Sequence, residues 1–132
     1  MHNLKRVLQP LPLCVLLAAT ACGGSSSSPA SPVLTAAVQT TTITITAAGV
    51  SPNNIDVALG ARVLFINNDS RSHNMTSDPH PDHTDCPAIN SVGFLQPGQQ
   101  VQTGNLNTAR TCGYHDHDDP FNTKFRGTIN IK

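Results

Sequence analysis

One cysteine and two histidines are the side chains of this sequence best suited to chemistry. Cys112 and His115 are separated by two residues, and His73 follows the apolar run 63–66 much earlier in the chain. A thiolate and two imidazoles brought together at strand ends form the ligand set of a mononuclear copper centre. The residue types and their spacing therefore predict a copper site built from His73, Cys112 and His115.

Further histidines lie beside these positions. Beyond residue 2, every histidine of the chain falls within residues 73–83 or 115–117. Scattered surface histidines would not be confined to two short segments, and neutral imidazole is a common metal ligand. His80, His83 and His117 are therefore candidate additional ligands.

The N-terminal segment carries the pattern of an export signal. Residues 1–21 have a basic start and an apolar stretch that is too short to cross a membrane. The end of this segment resembles a bacterial lipobox, in which Cys22 would be lipidated and become the first residue. We therefore expect a lipoprotein-type signal peptide and a membrane anchor on Cys22. Gly23 replaces the Asp that retains many lipoproteins at the inner membrane, so we expect an outer-membrane anchor facing the periplasm.

Composition divides the rest of the chain into two parts. Residues 22–37 are rich in Gly, Ser and Pro, which predicts a flexible tether. Residues 38–132 are enough for one small domain. From residue 22 onward, six Lys and Arg face eight Asp, a net charge of −2 with neutral histidines. This balance provides no basic face for nucleic acid, so we expect no nucleic-acid partner.

The elements that must position the candidate ligands are strands. Residues 41–47 alternate Thr and Ile, and Ile55, Val57 and Leu59 repeat the period of two after a turn. The apolar run 63–66 suits a central strand, and a Pro97-Gly98 turn is expected further on. Later strand signals occupy residues 92–95, 100–103, 112–115 and 127–131. The pattern predicts an all-β sandwich.

Cys112 could form a disulfide with Cys86 instead of binding copper. Cys86 and Cys112 are the two cysteines after residue 22, and thiols in an oxidising compartment pair when their Cα atoms lie about 6 Å apart. A Cys86–Cys112 disulfide would remove Cys112 from copper. The site would then be built from His73, His115 and neighbouring imidazoles, a nitrogen-rich set suited to Cu(II). Both alternatives stay open on these residues.

In this order, the segments resemble the cupredoxin family of small copper proteins, which includes plastocyanin. The motifs that carry the likeness are Gly60-x-x-Val63-x-Phe65-x-Asn67-x-Asp69 before His73, Pro97-Gly98, Cys112-x-x-His115 and Phe125-x-Gly127-x-Ile129-x-Ile131. The resemblance covers nearly the whole domain and implies a Greek-key β-sandwich with copper at one end.

Carried over residue by residue, the resemblance places His73, Cys112 and His115 on the three equatorial ligand positions. It also favours the thiolate alternative for Cys112, because the spacing to His115 matches that of the family. The axial position departs from the pattern, since Phe125 stands where family members have Met. An ordinary blue copper site with a Met ligand is therefore not supported.

The expected function is copper binding outside the cytoplasm, for electron transfer or copper handling, with an unknown redox or copper-transfer partner. We expect no enzymatic activity. His115-x-His117 resembles a motif of copper–zinc superoxide dismutases, but the rest of their ligand pattern is not visible. A histidine-rich copper site without redox shuttling and a metal-free envelope module are the remaining alternatives.

Overall fold

A computed structural model describes residues 41–132; the expected signal peptide, Cys22 and the tether lie outside the described residues. Within these residues the chain forms nine strands and two 3₁₀ turns, Pro87–Ser91 and Thr123–Phe125. The strands are β1 Thr42–Thr46, β2 Gly49–Ser51, β3 Asn54–Val57, β4 Leu64–Asn67, β5 His73–Ser77, β6 Gly93–Leu95, β7 Gln100–Gln102, β8 Arg110–Asp116 and β9 Arg126–Ile131. Among residues 41–132, no helix has the length and apolar character that a membrane crossing requires.

The strands form two mixed sheets. One has the order β2-β1-β4-β7 and the other the order β3-β9-β8-β5-β6. Strand β1 runs parallel to β4, and β3 runs parallel to β9, whereas the other neighbours are antiparallel. The predicted all-β sandwich is confirmed.

Alternating side chains explain the first strands. Ile43 and Ile45 of β1 are fully buried, as is Val57 of β3, and Ile55 is nearly so. One apolar face per strand is what a sandwich core requires. The alternation ends earlier than expected, because β3 stops at Val57 and Leu59 is 56% exposed. The predicted inward position of Leu59 is therefore wrong.

Aromatic packing joins the two sheets. Phe65 of β4 meets Tyr114 of β8 edge to face, with ring centroids 5.3 Å apart. Burial raises the pKa of the Tyr114 hydroxyl, and within residues 41–132 this hydroxyl is the one buried side-chain polar atom without a hydrogen-bond partner. Gly127 lies against this ring, where a Cβ atom would overlap the Tyr114 hydroxyl and the Asn53 carbonyl oxygen.

The pairing of β5 with β8 positions the candidate ligands. Met75 is opposite Asp116, and Thr76 is opposite His115. Successive residues of a strand face opposite sides of the sheet, and Tyr114 faces the core. Asp116 therefore shares the inward face with Tyr114, whereas His115 lies on the outer face. The predicted ligands are thus divided between the two sides of one sheet.

Candidate metal centre

Cys112 is bonded to Cys86. The two sulfur atoms form a disulfide with a Cα–Cα distance of 5.8 Å, and both residues are buried. A sulfur atom in a disulfide is not a thiolate, so the structure does not offer Cys112 as a copper ligand. The disulfide alternative is the one that the structure contains, and the thiolate predicted at Cys112 is replaced.

A hydrogen bond that the sequence did not suggest brings Cys86 to this position. The amide of Cys86 donates to the hydroxyl of Ser77 over 2.7 Å, at the end of β5. Since β5 pairs with β8, this bond places Cys86 close to Cys112. The disulfide therefore ties the segment that follows β5 to the middle of β8.

His73 belongs to a buried group of carboxylates and not to a metal-ligand cluster. Its Nδ1 atom lies 2.7 Å from Oδ2 of Asp116, and its Nε2 atom lies 3.1 Å from Oδ2 of Asp69. Each ring nitrogen of His73 is thus within hydrogen-bond distance of a carboxylate oxygen. The structure thus separates His73 from the four histidines that could hold a metal ion together, and its role as a ligand stays a prediction.

Phe125, which stands at the position of the family's axial ligand, packs against this buried group. The ring of Phe125 packs on the ring of His73 with centroids 4.7 Å apart. His73 is 1% exposed and Phe125 is 2% exposed. An imidazole, two carboxylates and an aromatic ring thus fill this end of the sandwich.

The carboxylate of Asp69 is held ionised in this setting. Burial alone would raise the pKa of Asp69, but hydrogen bonds from His73 and the Ser70 amide, with the charges of His73 and Arg71, outweigh it. The net effect lowers the pKa of Asp69. Ionisation of this side chain therefore favours the folded state.

Four imidazoles converge on the outer face of the same sheet. They belong to His80, His83, His115 and His117, and one nitrogen of each ring lies within 4.8 Å of those of the other three. Four nitrogen donors at this separation can bind one metal ion. We call these residues the histidine cluster.

Two segments of the chain supply the cluster. His80 and His83 lie in the loop between β5 and the 3₁₀ turn Pro87–Ser91, whereas His115 lies in β8 and His117 directly follows it. The loop is fixed by a bond of 2.7 Å from the His83 amide to the Pro79 carbonyl. His83 has a φ of +51°, a left-handed conformation that non-glycine residues adopt at a cost. The surrounding bonds therefore impose the position of His83.

Hydrogen bonds select the nitrogen that His115 presents. Its Nδ1 atom lies 2.6 Å from Oδ1 of Asp78, whereas its Nε2 atom has only a longer contact of 3.4 Å with the Thr76 hydroxyl. Nε2 is therefore the nitrogen that His115 gives up more easily to a metal ion. On the other side of the cluster, Nδ1 of His117 lies 3.1 Å from Nε2 of His83. Burial, and then the neighbouring imidazoles His115, His117 and His80, lower the pKa of His83. A neutral ring is the form that binds metal ions.

The structure brings together a different set from the three ligands predicted first. Only His115 of that set is in the histidine cluster, and it is joined by all three candidate additional ligands, His80, His83 and His117. Asp78 was not among the candidates. Its position between a strand and the histidine-rich loop was a weak signal, because the sequence does not reveal which Asp faces an imidazole.

Access to the cluster is through His80. His115 is buried and His83 and His117 are half-buried, whereas His80 is exposed. The ring of Phe121, which is 81% exposed, lies 6.3 Å from that of His80. Three nitrogens are therefore sheltered by the protein, and the fourth faces solvent.

Comparison with known proteins identifies the fold. No protein-family model matches the sequence, and no curated protein matches it. Solved structures do match: a purple cupredoxin from Nitrosopumilus maritimus has a TM-score of 0.54 and 20% identity, over 69% of this chain and 98% of that one. A Cu(I) form of an amicyanin mutant has a TM-score of 0.54 and 18% identity, over 69% of this chain and 80% of that one. A mutant fern plastocyanin has a TM-score of 0.54 and 17% identity, over 69% of this chain and 99% of that one. This chain therefore has the cupredoxin fold.

Proposed function

We propose that this protein binds one copper ion through the histidine cluster and serves in copper handling in the cell envelope. The observation that carries the proposal is the convergence of four imidazole nitrogens within 4.8 Å of one another on a cupredoxin fold. Imidazole suits copper well, and Cu(II) binds nitrogen ligands more strongly than the other divalent ions of the first transition row.

The ligand chemistry favours copper handling over rapid electron transfer. A disulfide occupies the sulfur of Cys112, and Phe125 stands where the family has Met. Sulfur ligands stabilise Cu(I), so a site of imidazoles alone favours Cu(II). The exposed ring of His80 gives the ion a route to and from a copper-transfer partner.

Electron transfer is the second candidate, and the fold favours it. One plastocyanin of the same fold has been solved in oxidised and reduced forms, and the amicyanin mutant in its Cu(I) form. An electron carrier must exchange electrons quickly while keeping its metal. Copper that remains bound through repeated reduction and oxidation would support this role, whereas copper that leaves on reduction would support handling.

Titration of the metal-free full chain carrying Cys22→Ser with Cu(II) tests the proposal. We expect one bound copper and a pale product, because no thiolate contributes a charge-transfer band. The double variant His83→Ala/His117→Ala should lose this binding. An intense charge-transfer band would restore Cys112 as a ligand, and unchanged binding by the double variant would exclude the histidine cluster. Superoxide consumption by the copper-loaded protein measures the enzymatic alternative.

We also propose that a lipid on Cys22 anchors the protein to a membrane of the bacterial envelope, at the outer membrane and facing the periplasm. The proposal rests on the lipobox-like sequence before Cys22 and the Gly- and Ser-rich segment after it. Expression with its own signal should place the wild-type chain in the membrane fraction. The Cys22→Ser variant should appear in the soluble fraction, and equal fractionation of the two forms would contradict the anchor.

A further inference from the structure

We propose that Asp78 is a positioning residue of the copper site, which orients His115 and makes the site favour Cu(II); this inference rests on the function proposed above. The Oδ1 atom of Asp78 lies 2.6 Å from Nδ1 of His115. A carboxylate that accepts the second N–H of a metal-binding imidazole fixes the tautomer and increases the basicity of the ligating nitrogen.

The backbone holds Asp78 firmly against β8. The amide of Asp78 donates to the carbonyl of Gly113 over 3.0 Å, and the carbonyl of Asp78 accepts from the amide of Asp85 over 2.9 Å. These bonds fix the main chain of Asp78 beside the strand that carries His115. The carboxylate therefore reaches His115 from a rigid position.

Gly113 makes this approach possible. A Cβ atom at Gly113 would overlap the Asp78 carboxylate, and the conflict would involve its Oδ2, Cγ and Cβ atoms. Any other residue at this position would push the carboxylate away from β8. Gly113 lies two residues before His115, on the same face of the strand. The glycine thus leaves room for the carboxylate that orients the ligand.

The carboxylate also places a negative charge next to the cluster. Arg126 shares that charge from 3.3 Å and 3.4 Å, but 42% of the Arg126 side chain is exposed to solvent. Solvent weakens an exposed ion pair, so Arg126 offsets the charge of Asp78 only in part. A nearby negative charge stabilises Cu(II) relative to Cu(I), because the oxidised ion carries one more positive charge.

The test uses the full chain carrying Cys22→Ser and compares it with Asp78→Asn and Gly113→Ala added singly. Asn keeps an acceptor near His115 but removes the charge, whereas Ala at position 113 removes no polar group and displaces the Asp78 carboxylate. Cu(II) affinity should fall at least tenfold in both variants. The reduction potential of the bound copper should become more positive in both, a change that loss of stability alone would not produce.

Asp56→Asn is the matched control. Asp56 lies on β3 and is ion-paired with Lys132 at 2.6 Å, outside the cluster. Its replacement should leave copper affinity and potential unchanged. Copper binding by the parent chain with unaltered affinity and potential in Asp78→Asn and Gly113→Ala would overturn the role of Asp78. Failure of the parent chain to bind copper would instead overturn the proposed function, so the two results are distinguishable.

Discussion

Oδ2 of Asp116 lies 2.7 Å from Nδ1 of His73, on the inward side of the sheet whose outer side carries the histidine cluster. Asp116 also accepts a hydrogen bond of 2.9 Å from the amide of Asn74. Its neighbours His115 and His117 both belong to the cluster. One short segment of chain therefore supplies a buried polar group on one side and candidate metal ligands on the other.

Replacing His115 and replacing His73 should have different effects, one on copper binding and the other on stability. His115→Ala should weaken Cu(II) binding at least tenfold, about 1.4 kcal/mol, because it removes a buried nitrogen donor. His73→Ala should change copper affinity far less but lower the free energy of unfolding by about 3 kcal/mol, since it leaves the Asp116 carboxylate buried without its partner.

Calorimetric titration and urea unfolding measure these two effects. A folded His73→Ala protein that loses copper as strongly as His115→Ala would return His73 to the metal site.

The disulfide should matter for both stability and copper. It closes a loop between residues separated by 26 positions and links the segment carrying His80 and His83 to β8. The double variant Cys86→Ser/Cys112→Ser should lose about 3 kcal/mol of stability, because the unfolded chain gains freedom. Its copper affinity should also fall, since the loop is no longer tied to the strand.

Thermal unfolding and copper titration test this expectation. Treatment of the parent chain with a dithiol reductant should reproduce both changes. Equal stability before and after complete reduction, established by thiol counting, would contradict it.

Acid should weaken the fold through Asp69. Because the pKa of Asp69 is lowered in the folded chain, its ionised form favours folding. The stability that Asp69 contributes is fully present above the ordinary pKa of a carboxyl group, near pH 4. It is lost as the pH falls through the lowered pKa of Asp69 in the folded chain. Asp69→Asn should therefore be less stable than wild type at pH 6, and the difference should narrow towards pH 3.

Urea unfolding of the two proteins across this range measures the difference. A gap that stays constant with pH would show that ionisation of Asp69 does not contribute.

Replacing Gly127 with a larger residue should destabilise the fold. A Cβ atom at this position would overlap both the Tyr114 ring and the Asn53 carbonyl oxygen. Gly127→Ala should cost about 1–3 kcal/mol, because the core must shift to admit the methyl group. Gly104→Ala is the control, since its Cβ atom would lie 3.4 Å from that of Ala88, an ordinary contact. Equal melting temperatures for the two variants would contradict the crowding around Tyr114.

Much of the fold was predictable from local pattern. The alternation of Ile43 and Ile45 and the closing Ile129 and Ile131 mark inward faces that are buried in the structure. A period of two determines which side chains face the core, because successive residues of a strand point to opposite sides. Leu59 is an exception to this pattern. It continues the period of two, but β3 ends at Val57 and Leu59 is exposed.

The site was only partly predictable, because the contacts between its residues depend on how the strands pair. Residue types and clustering identified the chemistry and all four members of the histidine cluster, but not which of His73, Cys86, Cys112 and the imidazoles would meet. Those meetings depend on the register of β5 with β8, which sends Asp116 inward and His115 outward. They also depend on the path of the loop that brings Cys86 to Cys112. Local spacing was enough to predict seven of the nine strands, their core faces and the supply of nitrogen ligands, but it missed β2 and β5. The partners of the site residues depend on the folded chain, because contacts between distant residues follow from strand register and loop closure and not from local spacing.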